Sequence, residues 1–328
     1  MLKTATRTFS RATCAVALSA IAIAAHAAPE EITYLLPAPP TLPAFAPWML
    51  AQHNGYYAEE NLKVNFIAGK GGVDVAKQIG AGNAVIGGAI GDTPIIVRAN
   101  GIPVRAVAVM GGGSLSRIAV HADGKIKTVQ DLKGKTVTVI SYTDTTYYAL
   151  LSTLSKVSLG KGDLDIQAGG PSGVWQLFAS NKAEAMAAVP EWVVNAQEGG
   201  SKVRFLPPQE GAQSMAQAIL ASDDTIKKNP ELIQRLVRAT LRGMQDIMKD
   251  PKAAAAQYAQ AVPAFKGKEA MVERIFVMYR DQVYAGQPVL GQMDRARLEA
   301  VQNFYVNEKI VDKAVPLDEL YTNQFVSK

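Results

Sequence analysis

Two stretches decide the fold: Ala81-Gly82-Asn83-Ala84-Val85-Ile86-Gly87-Gly88-Ala89-Ile90-Gly91-Asp92 and Ala179-Ser180-Asn181-Lys182-Ala183-Glu184-Ala185-Met186-Ala187-Ala188-Val189-Pro190-Glu191. Each reads as a helix end, a tight turn, a short apolar strand and then an acid at the strand's carboxyl end. The interval from Asn83 to Asp92 is nine residues and that from Asn181 to Glu191 is ten, so the echo is approximate. Two similar α/β lobes follow from it. Ligands of open α/β sheets gather outside the carboxyl ends of the strands, and two facing lobes therefore bring Asp92, Thr93, Pro190, Glu191 and Trp192 to one cleft. The competing reading is that both acids are solvated loop residues or helix caps.

Outward from these stretches, strands alternate with helices. Glu31 to Leu36 is a strand closed by Pro37, and Leu62 to Phe66 alternates apolar and polar as a half-buried strand does. Between them a helix starts near Pro47, is broken or kinked at Gly55, and ends in a last turn through Tyr56 to Glu60. Further strands are expected at 84–90, 104–110, 117–121, 136–140, 185–189 and 203–206, which makes the chain α/β. From Asn229 the character becomes helical: Asn229 is the N-cap, Pro230 takes the first position, and Ile233, Leu236, Val237, Leu241, Met244, Ile247 and Met248 form a core-facing stripe.

The beginning of the chain carries an address. Lys3, Arg7 and Arg11 precede an apolar run from Cys14 to Ala25, and Ala25-His26-Ala27 has the small-x-small pattern of signal peptidase sites. Residues 1–27 are expected to be a secretory signal peptide, too short in its apolar run to span a bilayer. Cys14 sits at the start of that run, so no lipid anchor is expected. Cleavage removes the only cysteine, leaving no disulfide, thiol nucleophile or thiolate metal site. It also removes three basic residues and no acid, lowering the formal net charge from +5 to +2. Runs of Lys or Arg are absent, so no nucleic-acid partner is expected. About 300 remaining residues favour two lobes over one core.

Gly55-Tyr56-Tyr57-Ala58-Glu59-Glu60-Asn61-Leu62 resembles the GYF-x-x-x-GL segment of the periplasmic solute-binding proteins of ABC importers, in the nitrate/sulfonate/taurine and NMT1/THI5-like group. Asn61 stands where that pattern has Gly, and Asn is the residue best able to replace it in a left-handed turn. The likeness continues through Gly101-Ile102-Pro103, through Asp131-Leu132-Lys133-Gly134-Lys135, and through Ala179 to Pro190, where Asn181 and Glu184 replace the usual Gly and Asp. The resemblance implies a type II periplasmic-binding fold, with two lobes joined by two crossover strands and a ligand cleft between them. The first lobe would comprise residues 28–116 plus 213–328 and the second 117–212. The protein would capture a small organic solute in the periplasm and hand it to an ABC permease in the inner membrane by hinge closure. It would act as a monomer, without cofactor or metal, and perform no chemistry. Two alternatives stand beside this reading: a ligand-sensing partner of a membrane receptor, and a pyrimidine synthase of the THI5 group. The synthases depend on a Cys-rich segment and a reactive His, whereas this mature chain has no Cys and its His53 and His121 fall in a helix and a strand.

Candidate ligand contacts lie in the strand-end loops. Ser141-Tyr142-Thr143-Asp144-Thr145-Thr146 opens a helix whose free N–H groups and dipole suit an anion, and it matches the family's second-lobe anion loop. The same residues also suit plain helix capping, and Asp144 would repel an anion unless it caps or meets a donor. In the first lobe, Thr41 and Phe45 follow the opening strand, and Gly71 and Gly72 follow the second, where Gly-rich backbone permits close approach. The stretch is not a P-loop, because G-x-x-x-x-G-K-[ST] spacing is missing. Lys70 is a surface lysine or an anion neutraliser. Phe45, Tyr142, Trp175 and Trp192 are candidates to stack on a flat ligand, and for Trp48 and Trp175 a core role competes. Arg117 either pairs with a ligand carboxylate or serves as a hinge residue. No G-x-S-x-G elbow and no metal-binding His pair occur, so no catalytic or metal residue is assigned. The aromatic candidates and modest basic character point to a planar or anionic organic solute: an aromatic carboxylate, a sulfonate or a pyrimidine.

Overall fold

The computed structural model describes residues 28–142, 144–207 and 214–326. The expected leader 1–27, the candidate Thr143 and the segment 208–213, which holds the expected boundary at residue 212, lie outside the described residues. Ten strands are present among those described: β1 (Glu30–Leu36), β2 (Leu62–Ala68), β3 (Ile86–Ile90), β4 (Val104–Val109), β5 (Arg117–His121), β6 (Thr136–Val139), β7 (Asp165–Ala168), β8 (Ala185–Ala188), β9 (Val203–Phe205) and β10 (Gln217–Ser222).

They form two mixed sheets of five, ordered β2-β1-β3-β10-β4 and β7-β6-β8-β5-β9. In the first sheet β1 runs parallel to β2 and β3, while β10 lies antiparallel between β3 and β4. In the second, β6 runs parallel to β7 and β8, while β5 lies antiparallel between β8 and β9. Each sheet therefore takes its one antiparallel strand from chain that has just arrived from the other sheet. This reciprocal exchange is the two-crossover arrangement that the family resemblance implies.

The kinked first helix is as expected: Ala46–His53 ends before Gly55, whose φ of 78° only glycine adopts freely, and Tyr56–Glu59 adds one turn. Asn61 takes φ 55°, the left-handed backbone that Asn tolerates. The expected stripe on Pro230–Lys249 is the core face of that helix, with Ile233, Leu236, Val237, Met244 and Ile247 buried. Asn229 stands at its N-cap position, although its side chain makes no capping bond. β7 and β10 were not expected. β7 is a short edge strand with one large apolar residue, Ile166, and β10 is buried along its whole length, so neither shows the alternation that marks a half-buried strand.

One apolar cluster fills the first sheet's layers and continues into Val174, Phe178, Met186, Trp192 and Val193 of the second. A smaller cluster around Val137, Val139, Leu150, Leu154 and Ala187 belongs to the second sheet alone. The two halves thus share an apolar seam. No helix among the described residues is long and apolar enough to cross a membrane.

Candidate functional site

The two acid-ended stretches occupy equivalent places, since β3 and β8 each stand third in sheet order, beside the incoming antiparallel strand. Their turns are also equivalent once aligned by backbone. Gly82 (φ 79°) and Asn181 (φ 58°) are the left-handed residues. Gly82 N–H bonds Ile79 O and Asn83 N–H bonds Gln78 O, while Asn181 N–H bonds Phe178 O and Lys182 N–H bonds Leu177 O. This is the helix-ending pattern in which a left-handed residue satisfies the last carbonyls. Counted from the left-handed residue, the acid falls ten positions later in both. The nine-versus-ten mismatch came from aligning Asn with Asn.

Neither acid is solvated; Asp92 stands at the N-cap position of helix Thr93–Ala99 without a side-chain capping bond, and Glu191 lies in the first turn of Pro190–Glu198. Asp92 is 1% exposed, and its Oδ2 accepts from Tyr305 Oη at 2.7 Å. Burial pushes its carboxyl up to about 6, against the lowering effects of the Tyr305 bond and the nearby Arg297 charge. Its Oδ1 and the neighbouring Thr93 Oγ1 are buried without a partner among the described residues. Glu191 is 7% exposed, and its Oε2 accepts from Tyr279 Oη at 2.7 Å. Burial raises it to about 7, and the Tyr279 bond pulls the other way. Both tyrosines come from the helical C-terminal part of the chain, Tyr305 on Arg295–Asn307 and Tyr279 on Glu269–Tyr279.

The expected site residues fall into two groups around these acids. Beside Asp92 lie Thr93 and Gly72, whose added Cβ would come 3.5 Å from Thr93 Oγ1. From helix Thr145–Ser155, which follows β6, Tyr148 packs its ring 5.7 Å from that of Tyr305, and Asp144 just before that helix is close enough for its charge to raise Asp92. Beside Glu191, Tyr279 stacks on Tyr284 at 5.4 Å, and Tyr258 Oη donates to Thr41 O at 2.7 Å. Tyr284 Oη is buried without a partner among the described residues, as is Gln217 Oε1, whose amide Nε2 donates to Ala44 O at 2.7 Å. Pro190 opens the helix that carries Glu191, and Trp192 is buried on the same helix.

Asp144 is the N-cap of helix Thr145–Ser155: its Oδ1 accepts from Thr146 N–H at 2.9 Å and from Thr146 Oγ1 at 2.6 Å. The capping reading of Ser141 to Thr146 therefore holds for Asp144 and Thr146, and a carboxylate already occupies the positive end of the helix. Thr145 is buried beside it. Tyr142 turns outward, 54% exposed, and donates to Ile166 O at 3.0 Å. It starts a ladder of rings, Tyr142 to Tyr147 to Tyr148 to Tyr305, each 5.6–5.7 Å from the next, that runs from solvent to Asp92.

Other expected residues stand apart from both acids. Arg117 lies over the Phe205 ring at 4.7 Å and donates to Leu206 O at 3.3 Å and to Gln282 Oε1 at 3.5 Å. Phe45 is core, packed edge-on against the fully buried Trp48. Trp175 lines a surface groove with Asn195, Lys268, Met271 and Arg274. Gly71 has φ 96°, so its backbone requires glycine, and its N–H bonds Pro37 O at 2.9 Å. Of the two histidines, His53 ends an exposed helix turn, while His121 stacks on Phe178 at 3.9 Å. Tyr148, Tyr279, Tyr284, Tyr305 and Arg297 were not among the expected site residues. Among the described residues no group of three or more His, Cys, Asp or Glu side chains is placed to hold a metal ion.

Comparison with known proteins agrees with this architecture. The riboflavin-binding protein RibY of Chloroflexus aurantiacus is 24% identical over 289 residues, covering 86% of this chain and 82% of its own. A 4-amino-5-hydroxymethyl-2-methylpyrimidine phosphate synthase of Aspergillus parasiticus is 23% identical over 256 residues, 71% of each chain. The periplasmic aliphatic sulphonate-binding protein SsuA of Escherichia coli superposes with a TM-score of 0.72 at 17% identity, over 92% of this chain and 94% of its own, a likeness of fold. The NMT1/THI5-like family model matches residues 42–254, the span that carries both acids and every described strand but β1, and the chain belongs to that family.

Proposed function

We propose that this protein is the periplasmic receptor of an ABC importer, capturing a planar organic solute that presents N–H donors and delivering it to a permease in the inner membrane. The lobes are residues 28–116 with 213–328, and 117–212, and residues 1–27 are the removed signal peptide. Asp92 carries the reading. A buried carboxylate with one oxygen held by Tyr305 and the other without a partner, beside an equally unpartnered Thr93 hydroxyl, is a receptor for a donor. Gln217 Oε1 is a further acceptor. The helix start at Asp144 is already neutralised, which favours this ligand over a small bare anion. The relative named for riboflavin binding is consistent with a flat ring system carrying N–H groups.

In the open form the lobes part and the cleft admits solute; contacts to both lobes then favour closure in proportion to their differential strength. The tyrosine ladder ending at Tyr305 offers ring faces for the solute on its way to Asp92. A synthase activity, suggested by the Aspergillus relative, has no support from thiol chemistry, because residues 28–328 contain no cysteine.

The test is a thermal-shift screen of residues 28–328 and of Asp92→Asn against riboflavin, pyrimidines, aromatic carboxylates, alkanesulfonates, taurine and nitrate. A ligand of the folded state raises stability by about 2.7 kcal/mol at a hundred times its dissociation constant. Stabilisation by a ring compound in the wild type, weakened ten- to a hundredfold in affinity by Asp92→Asn, is expected. Stabilisation by nitrate or sulfonates alone, untouched by Asp92→Asn, would reject the proposed ligand class.

A further inference from the structure

The chain passes between its sheets twice, and a single side chain holds both passages. Arg297 stands in the first turn of helix Arg295–Asn307. Its Nη1 donates to Gly112 O, and its Nη2 donates to Ser114 Oγ at 2.9 Å and to Ser214 O. Gly112 and Ser114 belong to the first passage, between β4 and β5, and Ser214 to the second, between β9 and β10. The passages also touch directly, through Ser114 Oγ to Ser214 O at 3.0 Å and Leu115 N–H to Met215 O at 3.3 Å.

The first passage is further confined by main chain. A Cβ on Gly111 would lie 2.0 Å from Val283 O and one on Gly113 1.8 Å from Gln282 O. Gly112 N–H bonds Ala285 O at 3.1 Å and Gly113 N–H bonds Val283 O at 2.8 Å. The segment runs in a slot, with the π turn Arg280–Tyr284 as one wall and the Arg297 guanidinium bridging to the second passage. The far end of the Arg297 helix carries Tyr305, which holds Asp92 and packs on Tyr148 of helix Thr145–Ser155. One rigid element therefore links both passages to the cleft acid.

We propose that Arg297 is a hinge lock: a positioning residue that fixes the angle between the lobes at its closed value and couples that angle, through its helix, to the Tyr305–Asp92 pair. Lobe rotation requires backbone change in both passages, and a forked guanidinium bonded to both at once resists their relative movement. Lysine, a single point donor, does not span the same acceptors. The inference rests on the reading of two lobes that open and close, and its test requires no ligand.

Residues 28–328 are free of cysteine, so cysteines introduced at exposed Lys77 and Lys161, one beside each sheet, accept spin labels cleanly. Double electron–electron resonance then reads lobe separation in the ligand-free protein. Arg297→Met and Arg297→Lys are expected to raise the ratio of long to short distances on the order of tenfold, and Ser114→Ala about threefold. Should Arg297→Met fail to fold, Arg297→Lys and Ser114→Ala decide. Distance distributions superimposable on wild type, whatever happens to the melting temperature, would reduce Arg297 to a structural residue and overturn the proposal. A ligand response in the thermal-shift screen together with unchanged distances would reject the lock and leave the binding function standing.

Discussion

Glu191→Gln isolates the protonation chemistry of the seam between the sheets. Glu191 belongs to the second sheet's helix, yet it is buried against Tyr279 of the C-terminal helices, where its carboxyl is pushed from an ordinary 4.5 to about 7. The cause is desolvation, so the neutral acid is the form that the packed state favours. The sign follows: stability from the buried neutral carboxyl is complete below about pH 4.5 and is lost progressively as pH rises through about 7. A shift of this size is worth about 3 kcal/mol. Gln keeps the shape and the acceptor for Tyr279 Oη but does not titrate. Thermal unfolding from pH 5 to pH 8 should therefore show near parity at pH 5 and a Gln variant more stable by up to about 3 kcal/mol at pH 8. At this chain length that is about 6 °C. Asp92, raised to about 6, contributes equally to both proteins and cancels in the difference. Tyr279→Phe deletes the bond that favours the charged form, so it should steepen the loss of stability toward high pH. Parallel pH profiles for wild type and Glu191→Gln would refute the burial of this acid between the lobes.

Two further outcomes follow from local geometry. Gly113→Ala places a methyl 1.8 Å from Gln282 O, a main-chain atom that cannot rotate away, and should cost about 3 kcal/mol in chemical denaturation; a wild-type midpoint would mean that the first passage is not confined by the π turn. Asp144→Ala removes the cap of helix Thr145–Ser155 and should cost about 1 kcal/mol, while also lowering the apparent pKa of Asp92, which NMR titration of the carboxyl would detect.

What the sequence disclosed and what it hid divide along a physical line. Signals written in consecutive residues were legible: the left-handed Asn61, the break at Gly55, the Pro230 helix start, and the strand that ends in an acid. Even the error over Asn83 was local, since a glycine and an asparagine perform the same left-handed turn in the two halves and only the backbone tells which residues correspond. Partners distant in sequence were not legible. Tyr305 lies 213 positions from Asp92 and Tyr279 lies 88 from Glu191, and each occupies a helix where a core tyrosine would look the same. Arg297 reads as one more charge in the polar start Asp294-Arg295-Ala296-Arg297, although its neighbour Arg295 is exposed and bonds Asp318. A half-buried Arg is recognisable only by the carbonyls that surround it, and here those carbonyls belong to two passages that meet solely in the folded protein. The burial of Asp92 and Glu191 was hidden for the same reason. An acid after a strand is polar in sequence whichever way it faces; other parts of the chain decide whether it is removed from water, as both acids are, and whether an oxygen is left unsatisfied, as Asp92 Oδ1 is.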